Sequence, residues 1–176
     1  MAAVRRLRDL RAALTTIPGW RTWRTCALVY GVFLIVAAPI GLLAGLLKPG
    51  APHLLASEMA TSGALLFLQP ALVEEIVFRG VLLPRDADAV RRGRLAAIAA
   101  AALAVYVLAH PLNAWIFRPQ VFGLFSSPVY LVLATLLGAA CTAAYLISRS
   151  IWPPVAMHWL TVVVWLWFLG GRALLC

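Results

Sequence analysis

The chain of 176 residues suffices for one domain, but 64% of it is hydrophobic and only 12% charged, with a mean hydropathy of +0.94. That profile excludes an ordinary soluble fold. The net charge of +9 invites a nucleic-acid reading, which the placement of the basic residues at the ends of apolar runs argues against.

Residues 3–17 place Val4, Leu7, Leu10, Ala13, Leu14 and Ile17 at helical spacing with arginines between them. A basic amphipathic stretch of this kind reads as an interfacial helix on an anionic leaflet. A targeting peptide is the rival, but no small-residue cleavage site is evident. Pro18-Gly19 ends the stretch, and Trp20 and Trp23 read as interface anchors. Residues 1–25 are thus a basic segment, and 26–171 a transmembrane bundle.

Uncharged runs cover Cys26–Leu47, Leu95–Phe117, Gln120–Ser148 and Ser150–Gly171. About 20 apolar residues cross a bilayer core as a helix, so the expected fold is all-α, a polytopic helical membrane protein of about five transmembrane helices. The first span, Cys26–Leu47, carries Gly31 and the GxxxG element Gly41–Gly45, which read as flat packing surfaces. His53 follows as a plain loop residue. The second helix is expected over Leu54–Leu83, longer than a perpendicular crossing and kinked at Pro70, with Glu58 interfacial at its outer end. The third begins after Arg94 with an alanine-rich face for tight contact and is disturbed at Pro111. Residues 118–128 read as an outer loop or re-entrant turn, Val129–Ser148 as the fourth span, and the fifth opens at Trp152-Pro153-Pro154.

With the N-terminus cytoplasmic, eleven arginines (5, 6, 8, 11, 21, 24, 85, 91, 92, 94 and 149) lie inside. Only Lys48, Arg118 and Arg172 lie outside, and Arg79 stays within the membrane. Cys26, Cys141 and Cys176 are widely spaced and lack CxxC spacing, so neither a disulfide framework nor a thiolate zinc site is read. Cys176, as the last residue given, forms no prenylation box of its own.

The candidate chemistry is confined to five ionisable groups inside spans: Glu74, Glu75, Arg79, His110 and His158. Such groups are expensive in a bilayer and face a bundle interior or wet cavity. Glu75 and Arg79, at i,i+4, can pair, whereas Glu74 points about 100° away by helix geometry and remains a spare acid. At about 1.5 Å per residue, Glu74, Glu75 and His158 sit roughly 14–16 Å from the inner boundary, with His110 several Å deeper. The third helix must therefore tilt, or begin below the interface, for all to meet. Once together, a carboxylate and two imidazoles make a hydrolytic centre, with one group taking a proton from water and a second His donating to the oxyanion. Glu74, His110 and His158 are equally a three-ligand set for Zn²⁺ with an open position. Spacing alone does not separate the two.

The ordered elements Glu74-Glu75-x-x-x-Arg79-Gly80, Tyr106-x-x-x-His110 and His158 one turn into the last span resemble the CPBP family. This group of CAAX proteases and bacteriocin-processing enzymes, also called Abi, comprises intramembrane endopeptidases, and the resemblance covers about residues 60–170. It implies Glu74 as general base with His110 beside it, Glu75 and Arg79 holding the site, and His158 at the oxyanion, with no cofactor in the metal-free form of the mechanism. It also implies a membrane-bound or lipidated peptide substrate, membrane lipid as surroundings, no nucleic acid, and a bacterial-type plasma membrane. The family's third motif ends in Asn or Asp four residues after the His, where this chain has Val162; Thr161 can replace that polar group in part. The alternative is a catalytically inactive family-like scaffold or immunity protein, and a proton-coupled carrier ranks below it.

Overall fold

A computed structural model describes residues 2–52 and 54–175; the expectations for His53 and Cys176 lie outside them. Every regular element among the described residues is helical. α1 (Ala2–Thr15) and α2 (Trp20–Leu43) are followed by α3 (Ala56–Leu66), α4 (Val73–Glu75) and α5 (Arg92–Phe117). α6 (Phe122–Phe125), α7 (Pro128–Ser148), α8 (Trp152–Phe168) and α9 (Gly171–Leu175) complete the order.

Among the described residues, three helices, α2, α5 and α7, are long and apolar enough to cross a membrane. The count of five is not confirmed. The expected fifth span is α8, whose 17 residues end at Phe168 before Gly170 reverses the chain at φ +77°. The expected second span is broken rather than continuous. Gln69 leaves helical geometry at φ −137°, ψ 116°, as the ring of a following proline favours, and the Gln69-Pro70 peptide is cis. Wide π-type turns over Phe67–Leu72 and Ile76–Val81 flank α4. The acid pair thus sits on one short turn between two irregular ones, a backbone form frequent at functional sites.

Several local expectations shift. The helix of the expected first span, α2, begins at Trp20, not Cys26, and stops at Leu43, not Leu47. Gly45 lies beyond its end at φ +72°, so Gly41 and Gly45 form no common helix face, and Gly31 has open space around it. The helix α5 runs on through Pro111. Its alanines are mostly exposed, Ala102 and Ala114 being buried, and its close approach is instead to Gly138 of α7. Residues 118–128 hold a 3₁₀ turn, Pro119–Val121, and α6. Glu58 has a definite local role, because its Oε2 accepts the Leu55 backbone N–H at 2.8 Å and caps α3.

The core has two parts. One joins α2 to α7 and α8 through Cys26, Phe33, Leu137, Cys141 and Met157. Cys26 and Cys141 are free thiols there. The other gathers Ala13, Ala71, Leu83, Tyr145, Ile151 and Val155 at the end where α1, the residues after Val81 and the α7–α8 turn meet. α1 is docked at that end: Ala13 is fully buried, Ile151 N–H bonds to the Ala13 carbonyl, and Trp152 Nε1 donates to the Leu14 carbonyl. Ser150 Oγ donates to the Thr16 carbonyl at 2.7 Å, and Arg85 reaches Thr16 Oγ1 and the Arg149 carbonyl. Arg149, at the left-handed C-cap of α7, pairs with Asp88. At the opposite end the chain after α2 is tied to the end of α8: Lys48 N–H bonds to the Leu169 carbonyl and Gly50 N–H to that of Phe168. Outward-facing residues of the long helices, Leu28, Ile35, Leu108 and Trp115 among them, are exposed apolar side chains. A belt of that kind suits lipid and not water.

Candidate active site

Glu75 is the hub. Its side chain is completely buried, and its Oε1 accepts from Arg79 Nη1 at 2.9 Å and lies 2.9 Å from His158 Nδ1. Arg79, only 1% exposed, spends a second donor on the Gly138 carbonyl at 2.8 Å and lies over the Tyr106 ring at 4.5 Å. A buried guanidinium is tolerable only when paired and hydrogen-bonded in this way. The expected Glu75–Arg79 pair is thus present, and the long-range contacts add α7 and α8 to it.

His158 is placed by the start of α8, where Pro153 and Pro154 occupy the first turn and so remove no helical hydrogen bond. With Nδ1 against a carboxylate, that nitrogen carries the proton, and Nε2 turns toward Glu74, 4.0 Å from its Oε2. Glu74 points away from Arg79's pairing. Its Oε2 is buried and has no hydrogen-bond partner among the described residues. In a neutral His158, Nε2 is an acceptor, so donation to an oxyanion requires a second proton there.

His110 approaches from α5. Its Nδ1 lies 2.9 Å from the carbonyl of Tyr106 and therefore donates to it, leaving Nε2 as the acceptor of the neutral ring. Among the described residues no hydrogen bond or ion pair joins it to either carboxylate. The link is Tyr106, whose buried ring packs edge-on against His110 at 4.9 Å and His158 at 6.2 Å. Both imidazoles line one cavity of about 150 Å³ with mostly apolar walls, and Glu74 lies behind His158, its Oε2 4.0 Å from Nε2. The structure thus unites Glu74, Glu75, Arg79 and His158 directly, and His110 shares a cavity wall with His158.

The three residues considered as metal ligands are not gathered as a ligand set: among the described residues, no three His, Cys, Asp or Glu side chains are placed to hold one ion. His158 has one nitrogen committed to Glu75, and His110 has one committed to Tyr106. Val162 lines the cavity, and the Thr161 hydroxyl donates to the Met157 carbonyl at 2.8 Å. Two residues outside the sequence reading also reach this wall, Tyr30 of α2 and Tyr130 of α7. No sequence motif marks them, since each is an isolated aromatic in an apolar run.

The family described as type II CAAX prenyl endopeptidase, Rce1-like, matches residues 56–164, from the start of α3 into α8. Neither the curated proteins nor the solved structures show a match to this chain.

Proposed function

Since the chain belongs to the Rce1-like family of type II CAAX prenyl endopeptidases, we propose that it hydrolyses a peptide bond of a lipidated, membrane-associated substrate with a water activated by Glu74. Family membership implies a protease, and the apolar helices make the chain an integral membrane protein. The observation that carries the mechanism is the unpartnered Glu74 Oε2 facing His158 Nε2 across 4.0 Å, beside an apolar cavity. A gap of that width suits one water that gives a proton to each acceptor and turns its lone pair to the cavity.

Glu74 takes the proton as the water oxygen bonds to the peptide carbonyl carbon. The carbonyl π electrons move to oxygen. When the C–N bond then breaks, the protonated Glu74 returns that proton to the leaving nitrogen, with His110 Nε2 facing the same cavity as a relay. Glu75 and Arg79 do no proton transfer; they hold His158 in one tautomer and one orientation. No step is routed through a metal, because Glu74, His110 and His158 do not form a ligand set. We further place the N-terminus in the cytoplasm, since α1, the loop after Val81 and the α7–α8 turn share the arginine-rich end.

The test is cleavage of a farnesylated peptide by the full chain in proteoliposomes. Glu74→Gln is expected to lower kcat by about 10²- to 10⁴-fold, the range a positioned acid–base group supplies, with the protein still folded. Cleavage by wild type is expected to survive a zinc chelator. Equal rates for wild type and Glu74→Gln overturn the mechanism.

A further inference from the structure

An acyl-transfer site needs hydrogen-bond donors where the oxyanion develops, and both imidazoles of this site have spent theirs. In their neutral forms His158 places its single N–H on Glu75 and His110 places its own on the Tyr106 carbonyl. Val162 has no donor. Thr161 gives its proton to the Met157 carbonyl of its own helix, so its oxygen is left as an acceptor. The one hydroxyl beside it is that of Tyr30, 3.1 Å from Thr161 Oγ1. Because Thr161 has committed its hydrogen elsewhere, the proton between these two oxygens belongs to Tyr30.

We propose that Tyr30, on α2 and outside the family-matched residues 56–164, is a hydrogen-bond donor to the scissile carbonyl, parked on Thr161 until substrate enters. This inference rests on the protease reading. Tyr30 lines the cavity with His110, His158 and Thr161, and its ring stacks on Phe33 at 5.8 Å, which fixes the direction of the hydroxyl. Exchanging the Thr161 oxygen for a substrate carbonyl keeps the number of hydrogen bonds constant, so the transfer carries no desolvation cost of its own. Trp165 Nε1, a buried donor without a partner, is not a rival. That nitrogen packs 2.9 Å from the Cβ position of Gly171, facing α9.

The experiment compares wild type, Tyr30→Phe and Thr161→Val in proteoliposomes on a farnesylated peptide, with melting temperatures of each. Tyr30→Phe is expected to lower kcat by about 10²-fold, as loss of one oxyanion donor does, with a smaller change in KM. Thr161→Val frees the hydroxyl and is expected to raise kcat/KM by about twofold to fivefold, the factor one competing hydrogen bond represents. If both variants fall together in activity and melting temperature, the hydroxyl pair is a staple between α2 and α8 and the proposal is wrong. It is equally wrong if Tyr30→Phe retains kcat within about twofold of wild type. A second arm measures affinity for the same peptide in a Glu74→Gln background, with and without Tyr30→Phe. If wild type cleaves nothing but Tyr30→Phe weakens this affinity by about fivefold, the hydrolytic mechanism falls and the Tyr30 carbonyl site stands. With neither cleavage nor an affinity change, both fall.

Discussion

At the residue scale, the site depends on one oxygen, Glu75 Oε1, that serves both Arg79 and His158. Removing either charged partner leaves the other buried without compensation. Glu75→Gln and Arg79→Met are each expected to destabilise the folded chain by about 3–5 kcal/mol, read from unfolding in detergent. Gly138→Ala tests the neighbouring contact. Its Cβ meets the Tyr106 ring at 2.8 and 2.9 Å and Leu103 Cδ1 at 2.6 Å. Leu103 can rotate away, but Tyr106 is held by Phe78, His110 and His158. Gly138→Ala is therefore expected to cost more in kcat than in melting temperature. The Glu75–Arg79 pair was legible in the sequence because i,i+4 spacing is a local property. The Gly138 carbonyl and the Nδ1 contact of His158 were not, since they come from partners 59 and 83 residues away.

At the element scale, the same contrast holds for the helices. Pro70 announced a kink. The two π-type turns that flank α4, the first of them holding Pro70, carry no sequence mark; they pack against α8 and α1, far away in the chain. The amphipathic pattern of α1 was legible, but its docking was not: Ala13, a small residue in an alanine-rich stretch, is its buried anchor. Ala13→Leu is expected to overpack that contact, at about 1–3 kcal/mol. Hydrogen exchange is the measurement, with protection expected to fall across α1 and to persist in α7. Uniform loss across the bundle would show instead that α1 is an inseparable part of the core.

For the whole molecule, composition alone established a membrane-embedded helical bundle, while the count of five crossings is not confirmed, three helices being long and apolar enough among the described residues. Hydropathy registers apolar length and is blind to a break such as Gln69 or to an early stop such as Phe168. The orientation is testable with single cysteines. Asp88→Cys, on the exposed loop beside Arg149, is expected to react with an impermeant maleimide only from the cytoplasmic side, and Ala51→Cys only from the other. The reverse pattern would invert the placement of the N-terminus.

The backbone clasp between Lys48–Gly50 and Phe168–Leu169 bears on traffic through the cavity. Leu46, Leu47 and Leu169 belong to its wall, so this side moves as one piece with α8, which also carries His158. A bulky guest cannot push it open without parting two main-chain bonds or shifting the imidazole out of register with Glu74. Under the proposed mechanism, selectivity for slender guests is thereby coupled to the alignment of His158 with Glu74, and widening the chamber from this side is expected to slow cleavage.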